Sequence, residues 1–175
     1  MPSLNDIKNQ ISKLGQLDTF GTKKEINSLP EILRENENIT ALTSGLHQGN
    51  TWLIVCTTMR ILFLDKGFIY GLKQIDIPLD KINSVQHETG LFMADIVIWD
   101  GASKVVVENI LKEPAKEFVK RVHDTLHEYK EKGRNPVIVQ ESKDLAGQLL
   151  KLAELKEKGI LTEDEFLDQK KKLLA

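Results

Sequence analysis

Apolar residues recur in this chain with two different periods, and each predicts a different kind of element. Leu4, Ile7, Ile11 and Leu14 follow a helical spacing, with Ser3 or Asn5 as cap and Gly15 as stop, so a helix is predicted over Leu4 to Leu17. Thr22 to Leu33 reads as a second short helix. Thr22 and Glu25 have capping-box spacing there, and Pro30 either interrupts the helix or starts a new turn. From Asn38 the period shortens to two. Ile39, Ala41 and Thr43 alternate with Thr40, Leu42 and Ser44, Gly45 marks a bend, and His47-Gln48-Gly49-Asn50 forms the first hairpin loop.

The stretch from Thr51 to Val85 is the densest part of this pattern. Trp52, Ile54 and Cys56 alternate with Leu53 and Val55, and Ile61 to Leu64 is unbroken apolar. Both runs are rich in β-branched and aromatic residues and too short for helices, so they predict strands. Thr57-Thr58-Met59-Arg60 separates them as a hairpin turn, and Asp65-Lys66-Gly67 marks the next turn. Gln74 to Leu79 alternates again, and Pro78, which has no N–H to give a ladder, puts that strand at an edge or at its end. Further strands are predicted over Ile82 to Glu88, Leu91 to Trp99 and Lys104 to Asn109, with Gly90 and Asp100-Gly101 as breaks. Seven short strands in succession predict an antiparallel barrel or sandwich.

At Pro114 the period returns to that of a helix. Ala115, Phe118, Val122, Leu126 and Tyr129 share one face, Lys116, Lys120, His123 and His127 the opposite one, and Pro114 fits the first turn. Burying Phe118 and Leu126 is worth about 1.5–3 kcal/mol each. Lys132 to Lys143 is a linker by composition, in which Val137-Ile138-Val139 is either a short added strand or a tether. In the tail, Leu145, Leu149, Leu152 and Leu155 form an apolar stripe, with Gly159 as helix stop. Thr162 and Glu165 have capping-box spacing for a second helix, and Phe166, Leu173 and Leu174 point back toward the first. Two helices of this size bury too little to be stable alone. The stripe must therefore be satisfied by the barrel, by another copy of the chain, or by a different protein.

Two resemblances follow from these residues. The order strand, Thr-x-x-Arg turn, apolar strand, Asp-Lys-Gly, strand, Ile-Pro-Leu-Asp-Lys-Ile-x-Ser-Val resembles the bacterial pleckstrin-homology (PH) family in its YokE-like branch. It is carried by Thr57, Arg60, Leu62, Ile77, Pro78, Leu79, Ile82 and Val85, and covers roughly Pro30 to Tyr129. The segment from Leu149 to Leu174 is similar to the SHOCT (short C-terminal) family of helical hairpins. The first resemblance implies a PH-like seven-stranded antiparallel barrel or sandwich closed at one end by the Pro114 helix; with the N-terminal helices and the C-terminal two-helix hairpin read from spacing, the expected fold class is α+β. The divisions expected are 1–36 (N-terminal helical segment), 37–131 (PH-like domain), 132–143 (linker) and 144–175 (hairpin). The second resemblance implies oligomerisation or protein interaction, with Leu145, Leu149, Leu152, Ile160 and Phe166 as the contacting residues; the alternative is that these form only the hairpin's private core.

Charge and chemistry narrow the function further. Residues 1–36 carry five basic and five acidic side chains, 37–131 ten and thirteen, and 132–175 nine and eight. With no strongly basic segment, nucleic acid is not an expected partner. The single cysteine, Cys56, lies in a predicted strand, which excludes an internal disulfide and favours a small core hydrophobe over a nucleophile. No apolar run approaches the ~18 residues a membrane span needs, and the N-terminus has no signal-peptide pattern, so a cytoplasmic protein is expected. His123 and His127 have metal-ligand spacing, but with no accompanying Cys or His motif they are assigned to a solvated helix face. His47 and His87 have no partner suggesting a catalytic triad. With no phosphate loop, HExxH or CxxC either, no enzyme, cofactor or metal is expected.

PH domains that hold phosphoinositides place Lys and Arg around the first hairpin loop. Here that loop is His47-Gln48-Gly49-Asn50, and the following strand also lacks cations, so membrane lipid is not an expected ligand. The expected function is a non-enzymatic protein-interaction or oligomerisation module, with a peripheral membrane-associated PH protein as the alternative.

Overall fold

The structure is a computed structural model that describes residues 2–15, 17–67, 71–101, 103–134, 153, 156 and 162–173. It divides into two units, Met1–Lys130 and Glu131–Ala175. The first unit opens with helices α1 (Leu4–Ser12) and α2 (Lys23–Ile32). Seven strands follow: β1 (Ile39–His47), β2 (Asn50–Thr57), β3 (Arg60–Lys66), β4 (Leu72–Pro78), β5 (Ile82–Thr89), β6 (Met93–Asp100) and β7 (Ser103–Leu111). A 3₁₀ turn, Leu79–Lys81, separates β4 from β5, and α3 (Lys112–Arg134) starts directly after β7. In the second unit α4 spans Glu163–Leu173.

The strands form one antiparallel seven-stranded sheet in the order β4-β3-β2-β1-β7-β6-β5. Its weakest joint is β1 with β7, registered only at Leu46 opposite Glu108. Gly45 makes that approach possible: a Cβ there would lie 2.5 Å from Val107 Cγ1 and 2.9 Å from the Glu108 carbonyl oxygen. β4 and β5 are the two edges. Pro78 ends the edge strand β4, where its missing N–H costs no ladder bond.

Two apolar clusters hold the unit together. The larger gathers Trp52, Ile54, Cys56, Ile61 and Phe63 against Val85, Ile96, Ile98, Val107 and Ile110, and the Ala115, Phe118, Val122 and Leu126 stripe of α3 closes it. The same stripe was expected to include Tyr129, which is instead exposed. On the other face of β1–β3, Leu42, Leu53, Val55, Leu62 and Leu64 meet Ile7 and Leu14 of the α1 segment and Leu29 and Leu33 of the α2 segment. Strands buried on both faces explain the unbroken run Ile61 to Leu64: alternate residues go to opposite cores.

Four local expectations are corrected. The Thr22–Glu25 capping box does not form; the Thr22 hydroxyl donates to the Thr19 carbonyl (2.9 Å), and Glu25 instead accepts from the Lys66 N–H at the end of β3 (2.8 Å). His47 is not a loop residue but the last residue of β1, paired with Asn50. The turn is Gln48-Gly49 alone, both at positive φ (53° and 79°), as a two-residue turn of primed type requires. Leu91 and Phe92 belong to a turn rather than to β6, which starts at Met93. Helix α3 continues to Arg134, past the expected linker boundary at Lys132.

Candidate functional site

The Thr-x-x-Arg motif is the most heavily bonded polar feature of the barrel. Thr57 Oγ1 accepts from the N–H groups of Met59 (3.1 Å) and Arg60 (3.0 Å), which fixes the β2–β3 turn. The Arg60 guanidinium is buried and donates to both oxygens of Glu37 (2.8 and 2.9 Å), to the Ile32 carbonyl (3.0 Å) and to Asp76. Glu37 also accepts from the Arg34 N–H (2.8 Å) and lies 2.8 Å from the Thr57 hydroxyl. Burial alone would raise the Glu37 carboxyl. The bonds from Arg60, Arg34 and Thr57, with the Arg60 charge, outweigh burial and hold it below its ordinary value. Glu37 and Asp76 hold the Arg60 proton more tightly still. Each guanidinium nitrogen donates to a protein acceptor, so the motif ties the α2–β1 connection and β4 to the hairpin.

The other chemistry-bearing side chains are committed in similar ways. Cys56 is fully buried, and desolvation pushes its thiol up to about 11. His47 sits in the core, its Nδ1–H donating to the Val106 carbonyl (2.8 Å) and its ring edge-on to Trp52. His123 does not join His127 in a ligand set; its Nε2–H donates to the Val85 carbonyl of β5 (2.8 Å). Among the described residues no group of three His, Cys, Asp or Glu side chains stands close enough to hold a metal ion.

Two open surfaces stand out among the described residues. The first is a groove of about 860 Å³ between the free edge of β5 (Val85, Gln86, His87) and α3, where Lys116, Val119, Lys120 and His123 face it. It adjoins a second hollow along the same edge, lined by Asn83, Ser84, Leu126, His127 and Lys130. The second surface is apolar. Leu91 and Phe92 are each 80% exposed at the tip of the β5–β6 hairpin, closed by the Gly90 N–H donating to the Met93 carbonyl (2.8 Å). Exposed Met93, Leu111 and Phe20 share a hollow of about 360 Å³ beside it. Turn chemistry does not explain Leu91 and Phe92, because such turns select residues that tolerate positive φ or bond their own backbone. Reading them as strand residues hid their exposure; the missed signal was two large apolar residues directly after the turn glycine, Gly90.

Of the residues expected to make contacts in the tail, Leu145, Leu149, Leu152 and Ile160 lie outside the described residues. Phe166 is in α4, half-buried, with Lys156 Nζ 5.1 Å from its ring centre. The capping box that starts α4 is formed: Glu165 accepts from the Thr162 N–H (3.0 Å) and hydroxyl (2.8 Å), and these bonds lower its pKa.

Comparison with known proteins gives the following. An uncharacterized protein of Archaeoglobus fulgidus is 23% identical over 153 residues, covering 69% of this chain and 79% of that one. A crystal structure of a protein with a pleckstrin-homology domain from Shewanella loihica PV-4 matches at 18% identity and a TM-score of 0.41, over 61% of this chain and 90% of that one. A pleckstrin-homology domain from Shewanella amazonensis SB2B matches at 24% identity and a TM-score of 0.40, over 61% and 96%. The bacterial PH domain model matches residues 33–124, which run from the end of α2 through all seven strands and into α3. As this match spans more than half of the chain, the protein belongs to the bacterial PH domain family.

Proposed function

We propose that this protein is a non-enzymatic protein-association module: a PH-like body joined to a C-terminal docking hairpin of SHOCT type. One observation carries the reading, the exposed Leu91-Phe92 tip with Met93, Leu111 and Phe20 nearby. Solvent-exposed apolar clusters of this kind mark contact surfaces, because leaving them in water forfeits about 1.5–3 kcal/mol per large side chain. The tail supports it from the sequence, through the stripe of Leu145, Leu149 and Leu152 and the resemblance from Leu149 to Leu174. The bonded-up Thr57–Arg60 network and the inert Cys56 fit a scaffold better than a reaction centre.

The test is sedimentation of three proteins at ~50 µM, a working concentration for weak interfaces: the full chain, a version ending at Lys132, and Leu91→Asp/Phe92→Asp. A photo-crosslinking side chain placed at position 92 in the native cell complements it. Assembly of the full chain that each change weakens, with discrete adducts from position 92, is expected. Monomers throughout and no adduct would overturn the reading.

A further inference from the structure

We infer that the Leu91–Phe92 tip docks on a second copy of this chain. Each tip sits in the hollow beside the other copy's tip, so two identical contacts join the pair about a two-fold axis. The inference rests on the association role proposed for the tip and names its partner. The tip is a fastened projection. The Gly90 N–H donates to the Met93 carbonyl (2.8 Å), and the Lys112 ammonium donates to the Leu91 carbonyl (2.6 Å). Held this way, Leu91 and Phe92 stay exposed although Met93 and Leu111 stand next to them, paired across β6 and β7. A projection already held in one shape loses little freedom when a partner covers it.

The hollow is the matching recess. It lies at the β1–β7 joint, registered at a single pair, and is lined by Gly45 and Leu46 of that joint with Phe20, Met93 and Leu111. An apolar cavity of ~150 Å³ is enough to hold a benzene ring. The hollow, at about 360 Å³, has room for the Phe92 ring and the Leu91 side chain together. Met93 and Leu111 line it at the foot of the tip, so projection and recess lie side by side on one face. A partner that satisfies both must bring a recess for the tip and a projection for the hollow. A second copy turned by a two-fold rotation brings both, and two such contacts close into a dimer instead of a filament. The area agrees. The exposed fractions of Leu91, Phe92, Phe20, Met93 and Leu111 add up to more than three whole large side chains. At roughly 150–250 Å² apiece that is about 600 Å² per copy and about 1,200 Å² for the pair, where specific interfaces begin. Charge agrees as well. Asp18, on the rim of the hollow, accepts from the Ser44 hydroxyl (3.2 Å) and the Phe20 N–H (3.1 Å), and Lys112 stands at the tip. Among the described residues neither is in an ion pair, and docking brings the Lys112 of one copy toward the Asp18 of the other.

The test uses the full chain with photoreactive benzoylphenylalanine in place of Phe92, mixed with wild type labelled with heavy nitrogen. Irradiation should join a light peptide from position 92 to a heavy peptide at Met93, Leu111 or Phe20, and the light–heavy pairing proves that two copies are joined. A second arm exchanges charge. Leu91→Asp/Phe92→Asp and Leu111→Lys, all at exposed positions, should each weaken self-association in sedimentation at least about tenfold, since each change is felt at both contacts. Mixed in equal amounts, the two variants should associate again. The acidic tip of one then faces the basic hollow of the other, and the remaining tip and hollow are native. Cross-links that map elsewhere or stay within one copy, association that either variant leaves intact, or no recovery on mixing would each overturn the inference. A foreign protein captured at position 92 in the native cell, with the purified chain monomeric, would overturn it too and leave the association reading standing. Flotation with phosphatidylglycerol vesicles that Leu91→Asp/Phe92→Asp abolishes, with no protein adduct from position 92, would overturn both.

Discussion

Arg60 illustrates how a residue that marks a family can be structural. Its charge is buried against Glu37, with the more exposed Asp76 beside it, and removing Arg60 strands the Glu37 carboxylate without solvent. Arg60→Ala should therefore lower stability by about 3–5 kcal/mol, read as a shift in the urea midpoint. Acid provides an independent check. The folded-state pKa of Glu37 is below its unfolded value, so the stability this group contributes is fully present above the unfolded pKa. It is lost as pH falls through the folded one. The wild type should weaken below about pH 4, and Glu37→Gln, less stable at pH 7, should show a flatter profile in that window. Cys56, raised to about 11 and buried, should resist a thiol reagent at pH 8 until the protein unfolds; rapid labelling of the native state would contradict its place in the core. Thr57 and Arg60 were legible in the sequence as a motif. Their partners were not, because Glu37 and Asp76 stand 23 and 16 residues from Arg60 and only the folded chain brings them together.

At the scale of elements, the sequence was most readable where a period was long and regular. The α3 stripe and the seven strands come directly from spacing, with strand ends off by a few residues. It was least readable where an element serves two surfaces. Ile61 to Leu64 is unbroken because β3 lies between two cores, yet nothing in the run says that α1 and α2 form the second one. His47 read as polar and so as loop, although its ring bonds a main-chain carbonyl inside the core. Two changes test this account. Leu29→Ala, on α2 but fully buried against β1–β3, should cost about 2–5 kcal/mol, as for a barrel residue. An effect below 0.5 kcal/mol would mean that the N-terminal helices are ornaments on the fold. Gly45→Ala should cost about 1–3 kcal/mol, because the new methyl meets Val107 and Ile110 at the β1–β7 joint and the sheet must shift to admit it.

For the whole molecule, the issue is whether the body needs its tail in order to fold. Among the described residues, both apolar clusters draw only on residues up to Leu126, and both tryptophans lie in the same unit. A body whose core is closed in this way should unfold as one cooperative step that the tail does not enter. The slope of stability against urea measures this directly, because it scales with the surface exposed in the step. Followed by tryptophan fluorescence, the chain ending at Lys132 should keep the midpoint and the slope of the full chain. A smaller slope and a lower midpoint would mean that tail surface is buried and released together with the barrel, and the hairpin would then be part of the fold. If both stay fixed while the mass in sedimentation falls, the leucines of the tail serve association alone, and that division of labour separates a scaffold from its docking device.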